Sequence, residues 1–328
     1  MSGVVYVFQD HYPWDIRAEK FLNELSSNGN STSIVSRNRT GESVHEELDG
    51  ITIRRLPRGW GPVTRHLLNF PAFFSLIWIY EIIRAVRFQA ADLIIVRDLP
   101  LAPAAYWAAK RVGVPVVMDM AEDYPAMILS IWENDGRAPF DLLVRNPSLL
   151  RILEQWILPK MDGVICVSEA SAARVRALVD TAKTMVGVVG NTPRIDKNMV
   201  GAESAVAKKV REITGLKLLY VGGVTAGRGL STVVQALPEI QRRVGKVTLV
   251  VIGDGIGLEK LRQEAEQAGL SDSVYLAGWL DQKYVSNVIA ATDVCLVPHY
   301  VDAHIDTTLP NKIYDYMLHS KPVVVTHS

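Results

Sequence analysis

Cysteine is almost absent from this chain of 328 residues: only Cys166 and Cys295 occur, each inside an apolar run and without CxxC spacing. That excludes a disulfide scaffold, and the pair reads as small core residues in a reducing compartment. No Asp-x-Asp pair and no His/Cys cluster with ligand spacing occurs, so the sequence indicates no metal-dependent chemistry. Charge of one sign is also lacking: Lys+Arg and Asp+Glu balance at 35 each, which argues against nucleic acid as a partner. No basic n-region or cleavage site opens the chain, so a signal peptide is not expected. A clean membrane span is missing too, because the longest apolar stretch, 67–83, is interrupted by Asn69, Pro71 and Glu81. Arg54, Arg55, Arg58 and Arg65 precede that stretch and Arg84 and Arg87 follow it. Such a segment fits a crossover helix buried against a sheet, or a helix lying in a membrane interface.

What is present is a regular alternation. Short β-branched runs at 4–8, 32–35, 51–54, 93–96, 114–118, 164–167 and 186–189 are separated by helical patterns at 16–25, 71–87, 101–110, 149–158 and 170–178. The segment 190–215 lacks a strong apolar period and reads as a linker. A second series follows, with strands at 216–221, 247–252, 274–276, 294–297 and 323–325 and helices at 230–243, 258–268, 281–291 and 311–319. Strands alternating with helices predict parallel sheets. The length suits two domains, so the expected fold is α/β, two Rossmann-like domains with strand C-terminal ends facing a common cleft.

Three places after strands carry chemistry. Loop 222–229 (GGVTAGRG) opens a helix, where glycine lets a phosphate approach the backbone. It lacks the Lys-Ser/Thr of a P-loop, but Arg228 can still give a bidentate contact to phosphate oxygens. GDGIG at 253–257 resembles a dinucleotide fingerprint with Leu258 where the third glycine belongs, which is a weak signal. In DTTLPNKIYDYMLH, Lys312 falls in the first turn of a helix, the end of the macrodipole that favours anions over cations. That placement makes sense if an anion binds there, using Lys312 and the unpaired N–H groups together, with Asp315 and His319 on the same face. In the first half His11, Arg17, Asp98 and Glu122 follow strand ends, although acids after strands are also common helix caps.

In this order the motifs resemble the family 4 retaining glycosyltransferases of the GT-B fold. YVGGVTAGRGL is similar to the loop opening the donor domain, VVIGDGIGLEKL to its second strand and turn, and VYLAGWLDQKY to its next strand and glycine turn. LPNKIYDYMLHSKPVVVT resembles a Pro-x-Lys-x-x-Glu-Tyr variant of the donor-binding acidic motif. VPVVMDMAEDYP and MDGVICVSEASAARV look like acceptor-domain strands. The resemblance implies an acceptor-side domain at 1–195 and a nucleotide-sugar donor domain at 196–328, the latter shortened at its C-terminus. It implies that Arg228 and Lys312 hold a diphosphate and that Asp315 bonds a ribose. Glu122 joins them as a catalytic candidate. Gly222, Gly223, Gly253, Gly278, Thr307, Thr308 and Leu309 would contact the donor, and His11, Arg17 and Asp98 would face the acceptor. The chain departs from the family pattern where Gly223 replaces an arginine, Thr307 and Asp315 replace two glutamates, and Ala121 replaces a histidine.

The function so implied is a retaining, metal-independent sugar transfer. It runs from a nucleoside-diphosphate sugar to a glycan or lipid-linked acceptor, without a cofactor, on the cytoplasmic face of the inner membrane. Two rivals stay open: a non-catalytic sugar-nucleotide-binding relic, favoured by Thr307 and Ala121, and a nucleotide-sugar epimerase on the same scaffold. The broken GDGIG pattern leaves an NAD-dependent oxidoreductase a distant alternative.

Overall fold

The computed structural model describes residues 2–13, 15–57, 72–134, 136, 142, 145–192, 203–303, 305–307 and 310–326. The chain forms two compact units, one of Met1–Ile128 with Ala138–Gly190, the other of Leu129–Arg137 with Asn191–Ser328.

In the first unit the strands are β1 (Gly3–Val7), β2 (Ser31–Ser36), β3 (His45–Leu48), β4 (Ile51–Arg55), β5 (Leu93–Arg97), β6 (Val116–Met120), β7 (Gly163–Cys166) and β8 (Met185–Val188). They make one sheet in the order 3-4-2-1-5-6-7-8. Every pairing is parallel except β3 with β4. Helices α1 (Ile16–Ser27), α2 (Leu76–Gln89), α3 (Ala102–Val112), α4 (Tyr124–Asn134), α5 (Pro147–Ile157) and α6 (Glu169–Arg176) connect them, and α4 from Leu129 onward counts with the second unit. The central strands are buried along their length, as near-continuous apolar runs such as LIIV at 93–96 require of a sheet covered on both faces. Asp15 caps α1 by accepting from Ala18 N, and Ser168 caps α6 by accepting from Ser171 N.

The second unit has helices α7 (Ala205–Glu212), α8 (Leu230–Val244), α9 (Leu258–Gln267), α10 (Gln282–Ala290) and α11 (Asn311–Leu318). Its strands β9 (Leu216–Val221), β10 (Val247–Ile252), β11 (Val274–Gly278), β12 (Val294–Val297) and β13 (Val323–Val325) pair in the order 11-10-9-12-13, all parallel. One face packs on Val234, Leu237 and Leu261, the other on Val210, Val288 and Tyr316. In both sheets the strand order reverses beside the first strand of the series, at β1/β5 and at β9/β12. Those reversals open the crevice in which doubly wound sheets bind ligands.

Three elements differ from the sequence expectation. The segment read as linker contains α7, because Ser204 caps it by accepting from Ala207 N while Ala207 and Val210 enter the core. The edge strand β3 and helix α4 add to the predicted elements. Of the apolar stretch 67–83, residues 67–71 lie outside the described residues. Within the rest, Trp78 and Ile82 are buried on the sheet side.

Candidate functional site

At the switch point of the second unit, glycine lets three strand ends touch. Gly222 N donates to Ile252 O at 2.9 Å, and Gly253 N donates to Gly278 O at 2.8 Å. Gly253 has φ 141°, and a Cβ there would stand 2.0 Å from Gly222 O. No side chain fits such a position, so the resemblance of GDGIG to a phosphate loop reflects a backbone contact between two loops. Gly229 ends the short turn Ala226–Arg228 in the left-handed region, and a Cβ there would meet Pro298 O at 1.8 Å. Tyr300 N donates to Gly227 O at 3.0 Å, so the loops after β9 and β12 close on each other.

Two cations project from this frame. Lys312, in the first turn of α11, sets Nζ 3.9 Å over the Tyr220 ring. Arg228 places Nη1 3.3 Å from His299 Nδ1, and Lys312 Nζ lies 3.3 Å from His299 Nε2. Among the described residues neither cation forms an ion pair with a carboxylate. Burial, then Arg228, hold Lys312 well below the ordinary lysine range. The Tyr220 hydroxyl donates to Gly223 O at 2.8 Å, and burial pushes that phenol up to about 12 despite Arg228. Tyr316 accepts from Val221 N at 2.9 Å and so ties α11 to β9. The pieces fit an anion with several oxygens, which two cations and glycine loops can grip together.

The donor candidates divide accordingly. Arg228, Lys312, Gly222, Gly223 and Gly253 come together, and Gly278 joins them through its carbonyl. Asp315 follows one turn after Lys312, and its carbonyl accepts from the His319 backbone N–H at 3.3 Å. Thr307 ends the short turn Ile305–Thr307, with its hydroxyl donating to Ala303 O at 3.4 Å. Thr308 and Leu309 lie outside the described residues. His299, Tyr220 and Tyr316 were not anticipated as partners. The signal for His299 was its position two residues beyond β12, at the strand-order reversal.

At the switch point of the first unit the polar groups are of another kind. Arg17 is buried and donates to Asp119 through Nε at 2.9 Å and Nη2 at 2.6 Å, and to Val189 O through Nη1 at 2.8 Å. Tyr6 donates its hydroxyl to Asp119 at 2.7 Å. Arg97 donates to Asp98 at 3.0 Å and to Asp15 at 3.1 Å, and stands 3.7 Å from Asp119. Asp98 accepts from Ala121 N at 2.9 Å with φ 58°, a left-handed backbone that costs an aspartate energy. Burial raises Asp98 to about 6, against the pull of Arg97 and with a further push from Glu122. Three carboxylates share two guanidiniums, so one carboxylate has to rest high. Arg17 and Asp98 thus belong to one network through Asp119 and Arg97, which the sequence did not single out, while Glu122 acts on it through its charge. His11 stands apart, with Nε2 3.5 Å from Glu42.

Two Rossmann-like units, each built on a mainly parallel sheet with polar groups gathered at its switch point, make up the GT-B architecture. The family profile described as "Glycosyl transferase 4-like domain" matches residues 16–192, and "Glycosyl transferases group 1" matches residues 215–328. The chain belongs to this glycosyltransferase family. It is 26% identical over 197 residues to the 2-deoxystreptamine glucosyltransferase of Streptomyces kanamyceticus, a match covering 58% of this chain and 48% of that protein. It is also 26% identical over 184 residues to the alpha-monoglucosyldiacylglycerol synthase of Streptococcus pneumoniae, covering 53% and 38%. The matches therefore span half or less of those relatives. The fold is that of sucrose-phosphate synthase from Thermosynechococcus elongatus, with TM-score 0.75 at 16% identity over 99% of this chain and 81% of that one. Anabaena HepE in complex with UDP-glucose has TM-score 0.67 at 14% identity, over 99% and 80%.

Proposed function

We propose that this protein transfers a sugar from a nucleoside-diphosphate sugar to a glycan or lipid-linked acceptor, with retention and without a metal or cofactor. The observation that carries the reading is the pair Arg228 and Lys312, brought to one histidine at the switch point with no carboxylate paired to either among the described residues. In the proposed step the acceptor oxygen forms a bond to the anomeric carbon as the bond from that carbon to the diphosphate breaks. The hydroxyl proton passes to the departing phosphate oxygen, so no protein base is required. Arg228 and Lys312 stabilise the charge that develops on the diphosphate, the role a metal plays elsewhere. Gly222 and Gly253 let the loops after β9, β10 and β11 close into the frame on which the phosphates rest, Asp315 takes the ribose, and Thr307, Thr308 and Leu309 border the sugar. His11, Arg17, Asp98 and Glu122 are assigned to the acceptor side, Arg17 as a group that orders Asp98 through Asp119 and Arg97.

Relatives named as a 2-deoxystreptamine glucosyltransferase and an alpha-monoglucosyldiacylglycerol synthase support the acceptor class by their names. The test combines the chain with UDP- and GDP-sugars and a panel of glycan and lipid acceptors, in the presence of EDTA. Formation of a glycoside with the donor's anomeric configuration is the expected product. An inverted product, dependence on added metal, or sugar isomerisation without acceptor would each sink the corresponding part. Nucleotide binding with no product under any acceptor points to the non-catalytic reading.

We place this reaction at the cytoplasmic face of a membrane. Among the described residues no helix is long and apolar enough to cross a membrane. Helix α2, however, leaves Leu76, Tyr80 and Phe88 exposed beside Arg84 and Arg87, and Arg111 of α3 lines the same hollow. Apolar and basic side chains on one face suit the surface of an anionic bilayer. Flotation with phosphatidylglycerol vesicles and not with phosphatidylcholine vesicles is expected, and R84E/R87E should abolish it. Equal flotation of parent and variant would remove α2 from the interface.

A further inference from the structure

Arg228 and Lys312 approach His299 at opposite ring nitrogens, and proton chemistry makes the two contacts unequal. A guanidinium only donates and keeps its proton at working pH, so Nδ1, 3.3 Å from Arg228, has to be the acceptor. The ring is then the tautomer with its proton on Nε2, a donor directed at Lys312 Nζ 3.3 Å away. An ammonium has three donors and no acceptor, whereas a neutral amine offers a lone pair. Nε2–H and Nζ form a hydrogen bond only when Lys312 has lost its proton. A protonated ring would instead set three positive charges in a row.

The surroundings act in the same direction on balance. Among the described residues, the charged or titratable groups around Nζ are Arg228 from the turn after β9, His299 from the loop after β12, and Tyr220 of β9. On its own helix, Asp315 follows one turn later and Tyr316 is tied to Val221 N. The Tyr220 ring face attracts an ammonium. Its hydroxyl, raised by burial, supplies no negative charge, and burial with Arg228 disfavours the charged lysine.

We propose that His299 is a positioning residue that holds Lys312 as a neutral amine, and that a nucleoside diphosphate binds beside it with uptake of one proton from solvent onto Nζ. The proposal rests on the reading of Arg228 and Lys312 as a diphosphate clamp. The step converts R–NH2 and H⁺ to R–NH3⁺, and no other bond changes. The incoming anion reverses the local electrostatics and makes the ammonium the favoured form. Affinity therefore falls as pH rises above the free lysine's value, by up to tenfold per unit. It also means that the ammonium facing the leaving diphosphate appears only when the donor is bound.

The experiment is calorimetry of UDP, and separately GDP, binding to the 328-residue chain at pH 8 in two buffers of different ionisation enthalpy. At that pH the terminal phosphate, whose second ionisation lies near about 6, is already charged. Close to one proton taken up per diphosphate is expected. Lys312→Arg should bind with uptake near zero and a flat pH profile, since arginine never loses its proton. His299→Ala should lower the uptake, and His299→Gln, which keeps one acceptor and one donor, should restore it. Binding by the parent without uptake, or full uptake in His299→Ala, overturns the proposal and leaves the clamp standing. No binding of either nucleotide, or binding that Lys312→Met and Arg228→Met leave unchanged, overturns the clamp and the proposal together.

Discussion

The two units partner their cations on opposite terms. In the first, Arg17 meets Asp119, Arg97 meets Asp15 and Asp98, and Arg151 and Arg174 together bracket Asp123 and Glu154. In the second, the half-buried Arg228 and Lys312 meet the His299 imidazole and the face of Tyr220. A buried charge needs compensation because water no longer solvates it. Where the chain supplies that compensation itself, the cation is part of the scaffold. Where it does not, the proposed function gives that part to an anion from outside. On that proposal the same residue type serves folding in one unit and recognition in the other, and the difference lies in what faces it.

The largest effect should come from breaking a matched pair. Asp119→Ala leaves Arg17 and Arg97 buried beside a lost partner and should destabilise the first unit by about 3–5 kcal/mol, read by chemical denaturation. Arg228→Met, which removes no carboxylate contact, should change stability by about 0.5 kcal/mol or less. Equal losses would erase the contrast between the units.

The imbalance at Asp98 gives the next effect. Its folded value of about 6 lies above the ordinary aspartate value of about 3.9, so the folded state binds the proton more tightly. The resulting stability is full below about pH 4 and is lost as pH rises through about 6, by about 2–3 kcal/mol. Asp98→Asn should abolish that segment of the stability-versus-pH curve. A parent curve that is flat between pH 4 and 7 would mean that Arg97 neutralises Asp98 after all.

On the recognition side, Arg228→Met should weaken UDP binding by about 10- to 100-fold, the worth of a charge-assisted bond of roughly 1.5–3 kcal/mol. Asp119→Ala should leave the affinity of the folded protein near that of the parent. A thermal-shift titration separates the two, because it reads stability and ligand response in one experiment. A drop in affinity for Asp119→Ala at constant foldedness would merge the two kinds of cation.

How far this contrast could be read from the sequence follows from its physics. The buried parallel strands were legible because a sheet covered on both faces demands apolar runs, as at 93–96 and 247–252. The edge strand His45–Leu48 was not, because its pattern is HEEL, with Glu46 pairing Arg55. Charge on an edge is what keeps it from pairing with another sheet. Gly222, Gly253, Arg228 and Lys312 could be found because glycine and a cation after a strand are unusual and local. Tyr220 could not, since a tyrosine in a strand acquires meaning only when another loop arrives, and His299 offered no more than its place two residues beyond β12. Asp119 was not singled out either, because its three partners Tyr6, Arg17 and Arg97 lie on β1, α1 and β5.

The smallest effect belongs to cations that are neither buried nor waiting for a ligand. Arg242 and Arg243 are both 76% exposed and both pair with Glu239 on α8. They have carboxylate partners, like Arg17, but water competes for every contact. Glu239→Ala should therefore cost only about 0.2–1 kcal/mol, and less at high salt, where exposed charges are screened. If it cost as much as Asp119→Ala, the presence of a partner and not its burial would set the energy. A small loss, shrinking further in 1 M salt while the Asp119→Ala loss stays constant, assigns the difference to desolvation. This surface pair is therefore the reference against which the buried pairs of the first unit and the half-buried Arg228 and Lys312 are both measured.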